Sequence, residues 1–150
     1  MPVLEDECEF IWDSMAILVY LARRYASPEW LPMDPLPLSR VMQWLAVSEN
    51  EILYGIARAR AVLKFGHLFD LSACQHMGRQ GLAVMETRLS DWPWLASENH
   101  PTIADVACYP YVALSSEAGL TLAGYPGIRA WLIRIQTLPG YVGMQGMDTY

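Results

Sequence analysis

Residues 1–25 read MPVLEDECEFIWDSMAILVYLARRY, and the way this stretch folds decides what kind of domain the chain carries. Its first dozen residues are the best strand material in the chain. Val3-Leu4 and Glu9 to Trp12 flank an acidic turn, Glu5-Asp6-Glu7, which predicts a two-strand hairpin. Asp13-Ser14 then offers an N-cap. Ser14 to Tyr25 predicts a helix whose last turn carries Arg23-Arg24, the charge that a helix C-terminus favours. Residues 15–22 are apolar on every face, so the helix is expected to be buried all round. A lone hairpin is marginal in water, and the helix needs a sheet to lie on. No other segment supplies strands. Residues 1–26 are therefore expected to be the end of an α/β unit whose beginning lies outside this chain.

Working outward, Ser27 to Pro37 holds four prolines (28, 32, 35 and 37) and reads as a linker over residues 27–37. From Leu38 to about Phe65 apolar residues recur at helical spacing, with Val41, Trp44, Leu45, Ser48, Ile52 and Ile56 on the pattern and Gly66 as the C-cap. A second helix is predicted from Leu68 to Leu89, with Leu71, Met77, Val84, Met85 and Leu89 inward. Ser90 to Pro101 reads as a loop with two tryptophans. A third helix is predicted from Thr102 to about Gly119 and a fourth from Pro126 to Thr137. Pro139 to Tyr150 is expected to be loosely structured. In PTIADVACYPYVA, residues 101–113, Thr102 and Asp105 fit a capping box, a structural device whose loss should cost roughly 1 kcal/mol and slow folding. Pro110 should kink this helix.

Composition limits the function. Hydrophobic residues make up 53% of the 150 and charged ones 17%, enough for a packed core and too apolar for disorder. The net charge is −6 with no basic stripe, which speaks against nucleic acid and against an anionic membrane surface. The longest apolar run, Met15 to Ala22, is far short of the roughly 20 residues of a membrane span, and the acidic N-terminus does not resemble a signal peptide. Three widely spaced cysteines, Cys8, Cys74 and Cys108, predict buried free thiols and a cytoplasmic protein. His67, His76 and His100 lack metal-ligand spacing, so no metal site is expected. No nucleotide-binding glycine motif or nucleophile elbow is present. Trp44, Trp92, Trp94 and Trp131 are expected in the core or at an interface.

Four segments together resemble the glutathione S-transferase family of bacterial type. MPVLED followed by WDSMAILVYLARRY is similar to the last part of its thioredoxin-like domain. The Pro-rich linker precedes a long helix, as in the family. PTIADVACYPYVA resembles the capping box of the core helix in the all-helical domain, and YPGIRAWLIRIQTLPGY resembles its closing helix. The order and spacing match over nearly all 150 residues. The resemblance implies a mainly α fold, a helical bundle of the transferase C-terminal type preceded by a hairpin-and-helix remnant of a thioredoxin-like fold. Residues 1–26 would be part of the glutathione-binding domain and 38–150 the helical domain.

The resemblance also implies roles. Ser14, by hydroxyl and N–H, would take the γ-glutamyl carboxylate of glutathione and Asp13 its ammonium. On the residues alone the pair reads first as a plain N-cap, and the resemblance is what turns it into a glutathione site. Pro2 aligns with a cis-proline, beside which the backbone of Met1 would pair with the cysteinyl part. Glu49, Glu51, Tyr54, Arg58 and Arg60 lie near the family's pocket for the electrophile, with Tyr54 and Arg58 one turn apart, so that the pair either meets the co-substrate or belongs to a solvated face. Glutathione would be co-substrate, with no cofactor, the partners being a small hydrophobic electrophile and, for the full-length form, a second copy. The thiol-activating Tyr, Ser or Cys is expected upstream of Met1, so these residues alone are expected to be weakly active or inactive. Two further readings stay open: a non-catalytic interaction or dimerisation module built on the same helical domain, and a generic helical ligand-binding bundle.

Overall fold

The computed structural model describes residues 1–147. Strands β1 (Val3–Asp6) and β2 (Glu9–Trp12) pair antiparallel, Val3 opposite Trp12 and Asp6 opposite Glu9. β1 runs further than the sequence suggests, so the loop is Glu7-Cys8 alone. Both residues take positive φ, 48° and 69°, the conformation whose twist matches a two-residue hairpin. Cys8 is consequently at an exposed tip and is not a buried thiol; Cys74 and Cys108 are buried.

One face of the hairpin, with Leu4 and Ile11, is half-buried, and on that face Asp6 turns to the following helix, α1 (Ser14–Tyr25). The Asp6 carboxylate accepts from Tyr25 at 2.5 Å and Tyr20 at 2.9 Å, and these two bonds hold it below the ordinary aspartate range. The other face leaves Val3, Phe10 and Trp12 exposed. α1 departs from its expectation in the same way. Only Ala22 is buried, because the hairpin and one later helix cover one side and nothing among the described residues covers the other.

The bundle opens earlier than expected. After a 3-10 turn at Pro28–Trp30, α2 (Pro35–Val47) begins with Pro35 and Pro37 in its first turn, where a missing N–H costs no hydrogen bond. The long helix then changes winding. Ser48–Ala57 is π-helical, with bonds reaching one residue further back, before α3 (Arg58–Phe65) resumes α geometry. Gly66 ends it in the left-handed region at φ 71°, its N–H on the Val62 carbonyl.

α4 (Leu71–Leu89) starts at the Asp70 cap and packs mainly on the π-helical segment. Its inner face is Cys74, Gly78, Gly81, Leu82, Met85 and Leu89; Met77 and Val84 point outward, against expectation. The glycines explain the shift. A Cβ on Gly55 would lie 2.3 Å from the Gly78 nitrogen, so the two backbones touch and the glycine side of α4 must face inward. α6 (Pro126–Gln136) has no cap from its own preceding residue; the Glu86 carboxylate of α4 accepts from the Gly127 and Ile128 N–H groups, both at 2.9 Å. The tail is more ordered than its glycines suggest, with the Tyr141 hydroxyl 2.7 Å from that of Tyr109; the last three residues of the predicted loose tail lie outside the described ones.

At the centre is α5 (Ile103–Ala113), eight of whose eleven residues are buried, in contact with α1, α2 and the π-helical segment. It continues through Pro110 for three residues and then tightens into a 3-10 turn at Ser115–Ala118. Its capping box is formed: the Thr102 N–H donates to Asp105 at 2.8 Å and the Thr102 hydroxyl accepts from Ala104 at 3.3 Å. The carboxylate does more than cap. It also accepts from the Leu95 N–H at 3.0 Å and from the Trp131 indole at 2.9 Å. Burial pushes the Asp105 carboxyl up, opposed by these bonds. Cutting it back strands four buried donors, the Thr102 hydroxyl included, each at about 1–3 kcal/mol.

Two outcomes follow for measurement. In urea unfolding, Asp105→Ala should cost at least about 3 kcal/mol and Thr102→Ala about 1 kcal/mol; equal losses would refute the wider role of Asp105. In native-state hydrogen exchange, amides of residues 1–26 should exchange faster than those of 38–137, because one side of α1 and the hairpin is uncovered; uniform protection would contradict this.

Candidate functional site

The site is assembled by the helix that has least freedom and the helix that has most. On α5 only Val106, Pro110 and Tyr111 escape burial, Val106 with 41% of its surface open. An uncovered apolar face on the innermost helix marks the wall of a cavity. All three residues line a cleft of about 510 Å³. Opposite them stand Asp13, Ser14, Met15, Ile17 and Leu18 of the α1 entrance, with Pro2 beside them, while Ser48, Glu49 and Leu53 of the π-helical segment complete the wall.

Asp13 is the working N-cap. It sits at φ 80°, and its Oδ1 accepts from the N–H groups of Met15 at 2.9 Å and Ala16 at 3.2 Å. Its own N–H donates to the Pro2 carbonyl at 3.2 Å, which brings the end of β2 back over the start of β1. Ser14 follows as the first helical residue, exposed, its hydroxyl free of hydrogen bonds to the described residues. A helix N-terminus with a free hydroxyl favours an anionic group. No peptide bond among the described residues is cis, so Met1–Pro2 is trans, unlike the cis bond that the resemblance implies. Met1 is exposed and Pro2 lines the cleft.

The far wall is fixed by Ser48, whose buried hydroxyl donates to the Ala107 carbonyl at 3.0 Å and so ties the π-helical segment to α5. Cys108 lies just behind, its thiol directed to the Trp44 carbonyl at 3.7 Å; burial pushes that thiol far up, which keeps it protonated and unreactive. Tyr54 and Arg58 are brought together but not into the cleft. The Arg58 guanidinium lies 4.1 Å over the Tyr54 ring and 4.7 Å over Phe69, an outward-facing stack. Sequence reasoning missed Leu53, Val106, Pro110 and Tyr111. The signal for the last three was the i, i+4, i+5 spacing of large residues on a helix already apolar throughout. Among the described residues no group of three or more His, Cys, Asp or Glu is placed to hold a metal, and no helix is long and apolar enough to cross a membrane.

A hairpin feeding a capped helix is set against the core helix of an all-α bundle, with a cleft between them. The glutathione S-transferase C-terminal domain family matches residues 77–134. A glutathione S-transferase from Pseudomonas fluorescens [Pf-5] superposes with a TM-score of 0.88 at 35% identity, over 97% of this chain and 73% of that one. In sequence, the disulfide-bond oxidoreductase YfcG of Escherichia coli (strain K12) is 30% identical over 139 residues, 86% of this chain and 60% of the relative. The maleylacetoacetate isomerase of Pseudomonas aeruginosa is 31% identical over 135 residues, 86% and 63% respectively. The chain belongs to the glutathione S-transferase family. It spans under two thirds of the length of these two curated relatives.

The cap is testable. Asp13→Ala loses two hydrogen bonds and puts a Cβ-bearing residue without a polar group at positive φ, and should destabilise α1 by about 1–2 kcal/mol. Asp13→Gly, which tolerates that φ, should cost less. Exchange of the Met15 and Ala16 amides should quicken in both variants, and unchanged rates in both would refute the assignment of Asp13 as cap.

Proposed function

We propose that this chain supplies the part of a glutathione transferase that grips the γ-glutamyl end of glutathione and walls the pocket for a small hydrophobic electrophile, the full-length protein joining the glutathione thiolate to that electrophile. One observation carries the reading: the free Ser14 hydroxyl at the α1 N-terminus and the apolar α5 wall open into the same 510 Å³ cleft. In this reading Ser14 takes the γ-glutamyl carboxylate through hydroxyl and N–H. Asp13, whose Oδ2 is not used in capping, takes the ammonium. Leu53, Val106, Pro110 and Tyr111 face the electrophile; with Met1–Pro2 trans, no role falls to the Met1 backbone.

The reading divides the chain into residues 1–26 as part of the thioredoxin-like domain, 27–37 as linker and 38–150 as the helical domain. The thiol-activating residue then belongs to the portion of the relatives' length that this chain does not span. A cytoplasmic homodimer is the expected working form. The exposed Val3, Phe10 and Trp12 favour a second reading, a non-catalytic module that docks through the hairpin; a stable hetero-complex without glutathione binding would support it.

Thermal unfolding with and without glutathione tests the first reading. Tm should rise with ligand concentration in the native chain, as for any ligand that binds only the folded state, and Ser14→Ala should abolish most of the rise. An unchanged Tm in the native chain would overturn it.

A further inference from the structure

The charge of the cleft is one-sided. The side chains lining it that carry a formal charge are the carboxylates of Asp13 and Glu49; no lysine, arginine or histidine lines it. The two acids differ in what they face. Asp13 has two helix N–H groups on its Oδ1 and the positive end of the α1 dipole beside it. Glu49, on the π-helical segment, has no hydrogen bond or ion pair among the described residues and no compensating charge in the cleft. The other lining residues on this segment are Leu53, which is apolar, and Ser48, whose hydroxyl is spent on the Ala107 carbonyl. Across the cleft the wall is Val106, Pro110 and the half-buried ring of Tyr111. A mostly apolar cleft with an uncompensated carboxylate among its lining residues attracts a molecule with an apolar body and a positively charged or N–H-bearing end. It repels a carboxylate or sulfonate at the same place. The whole-chain charge of −6 adds to that repulsion.

We propose that Glu49 sets the charge selectivity of the second-substrate pocket, which takes electrophiles bearing an amine or other hydrogen-bond donor and discriminates against anionic ones. The proposal deepens the transferase reading and rests on it. Because Glu49 is exposed on its outer side, the discrimination is moderate, about threefold to fivefold in each direction for a solvent-accessible charge pair, and it shrinks with salt.

Calorimetric titration of the full chain with three thioethers decides the matter: S-benzylglutathione, its para-aminomethyl derivative and its para-carboxy derivative. The aminomethyl compound should bind about threefold to fivefold more tightly than the parent and the carboxy compound correspondingly more weakly. Glu49→Gln should bring the three together, and Glu49→Asp should retain the order; circular dichroism confirms that both variants are folded. If the parent binds in a Ser14-dependent manner and the order is absent, or persists in Glu49→Gln, the selectivity proposal is wrong and the transferase reading stands. If none of the three binds, both fall together.

Discussion

The Asp105 carboxylate is the constraint on which the rest of the structure depends. It is a buried acid at the first turn of α5, and it accepts from the cap residue Thr102, from the Leu95 N–H in the preceding loop and from the Trp131 indole on α6. A charge in that position is tolerable only when its lone pairs are met on all sides. The loop that brings Leu95 is itself clamped: Arg88 donates to the Trp94 and Ser97 carbonyls, each at 3.1 Å, and Arg134 donates to the Pro93 carbonyl at 2.6 Å. Three elements separated in sequence therefore converge on one oxygen pair, and the position of α5 is fixed before any ligand enters.

That fixity matters because α5 is also the wall of the cleft. Its buried residues lock it to α2, α6 and the π-helical segment, and Val106, Pro110 and Tyr111 are what remains on the open side. The opposing element is of another kind. α1 buries one residue, and its links to the hairpin are surface hydrogen bonds from Tyr20, Tyr25 and Arg24 to Asp6 and Glu7. The cleft thus joins a rigid wall to a yielding one. The rigid wall offers shape and apolar contact, and the yielding one offers a helix end with a free hydroxyl. Binding an anion at Ser14 would act on the half of the structure that has least cohesion of its own.

Much of this was legible in the residues. The hairpin, the N-cap at Asp13, the helix start at Ser14, the left-handed Gly66 and the Thr102–Asp105 box each announce themselves within a few positions, because capping and turn chemistry are local. What was not legible depends on partners distant in sequence. The inward face of α4 was misassigned because periodicity ranks Met77 and Val84 above Gly78 and Gly81, whereas close backbone approach decided the contact. The tip position of Cys8 follows from a two-residue difference in the length of β1. Leu53, Val106, Pro110 and Tyr111 could not be separated from core residues, since an apolar side chain on a cavity wall and one in a core have the same composition and differ only in what stands opposite. The outward stack of Arg58 on Tyr54 and Phe69 likewise needed a residue from beyond the helix end.

The seam between the π-helical segment and α4 carries a last consequence. Where Gly55 meets Gly78 there is main chain against main chain, and a Cβ on Gly81 would sit 2.9 Å from Glu51. Most helix pairs keep apart by the width of their side chains and leave small unfilled volumes between them; here there is almost nothing to compress. Because pressure unfolds proteins by eliminating internal voids, this seam should contribute little to the volume lost on unfolding. The volume lost on unfolding must then come from the contacts elsewhere in the bundle, where side chains meet side chains.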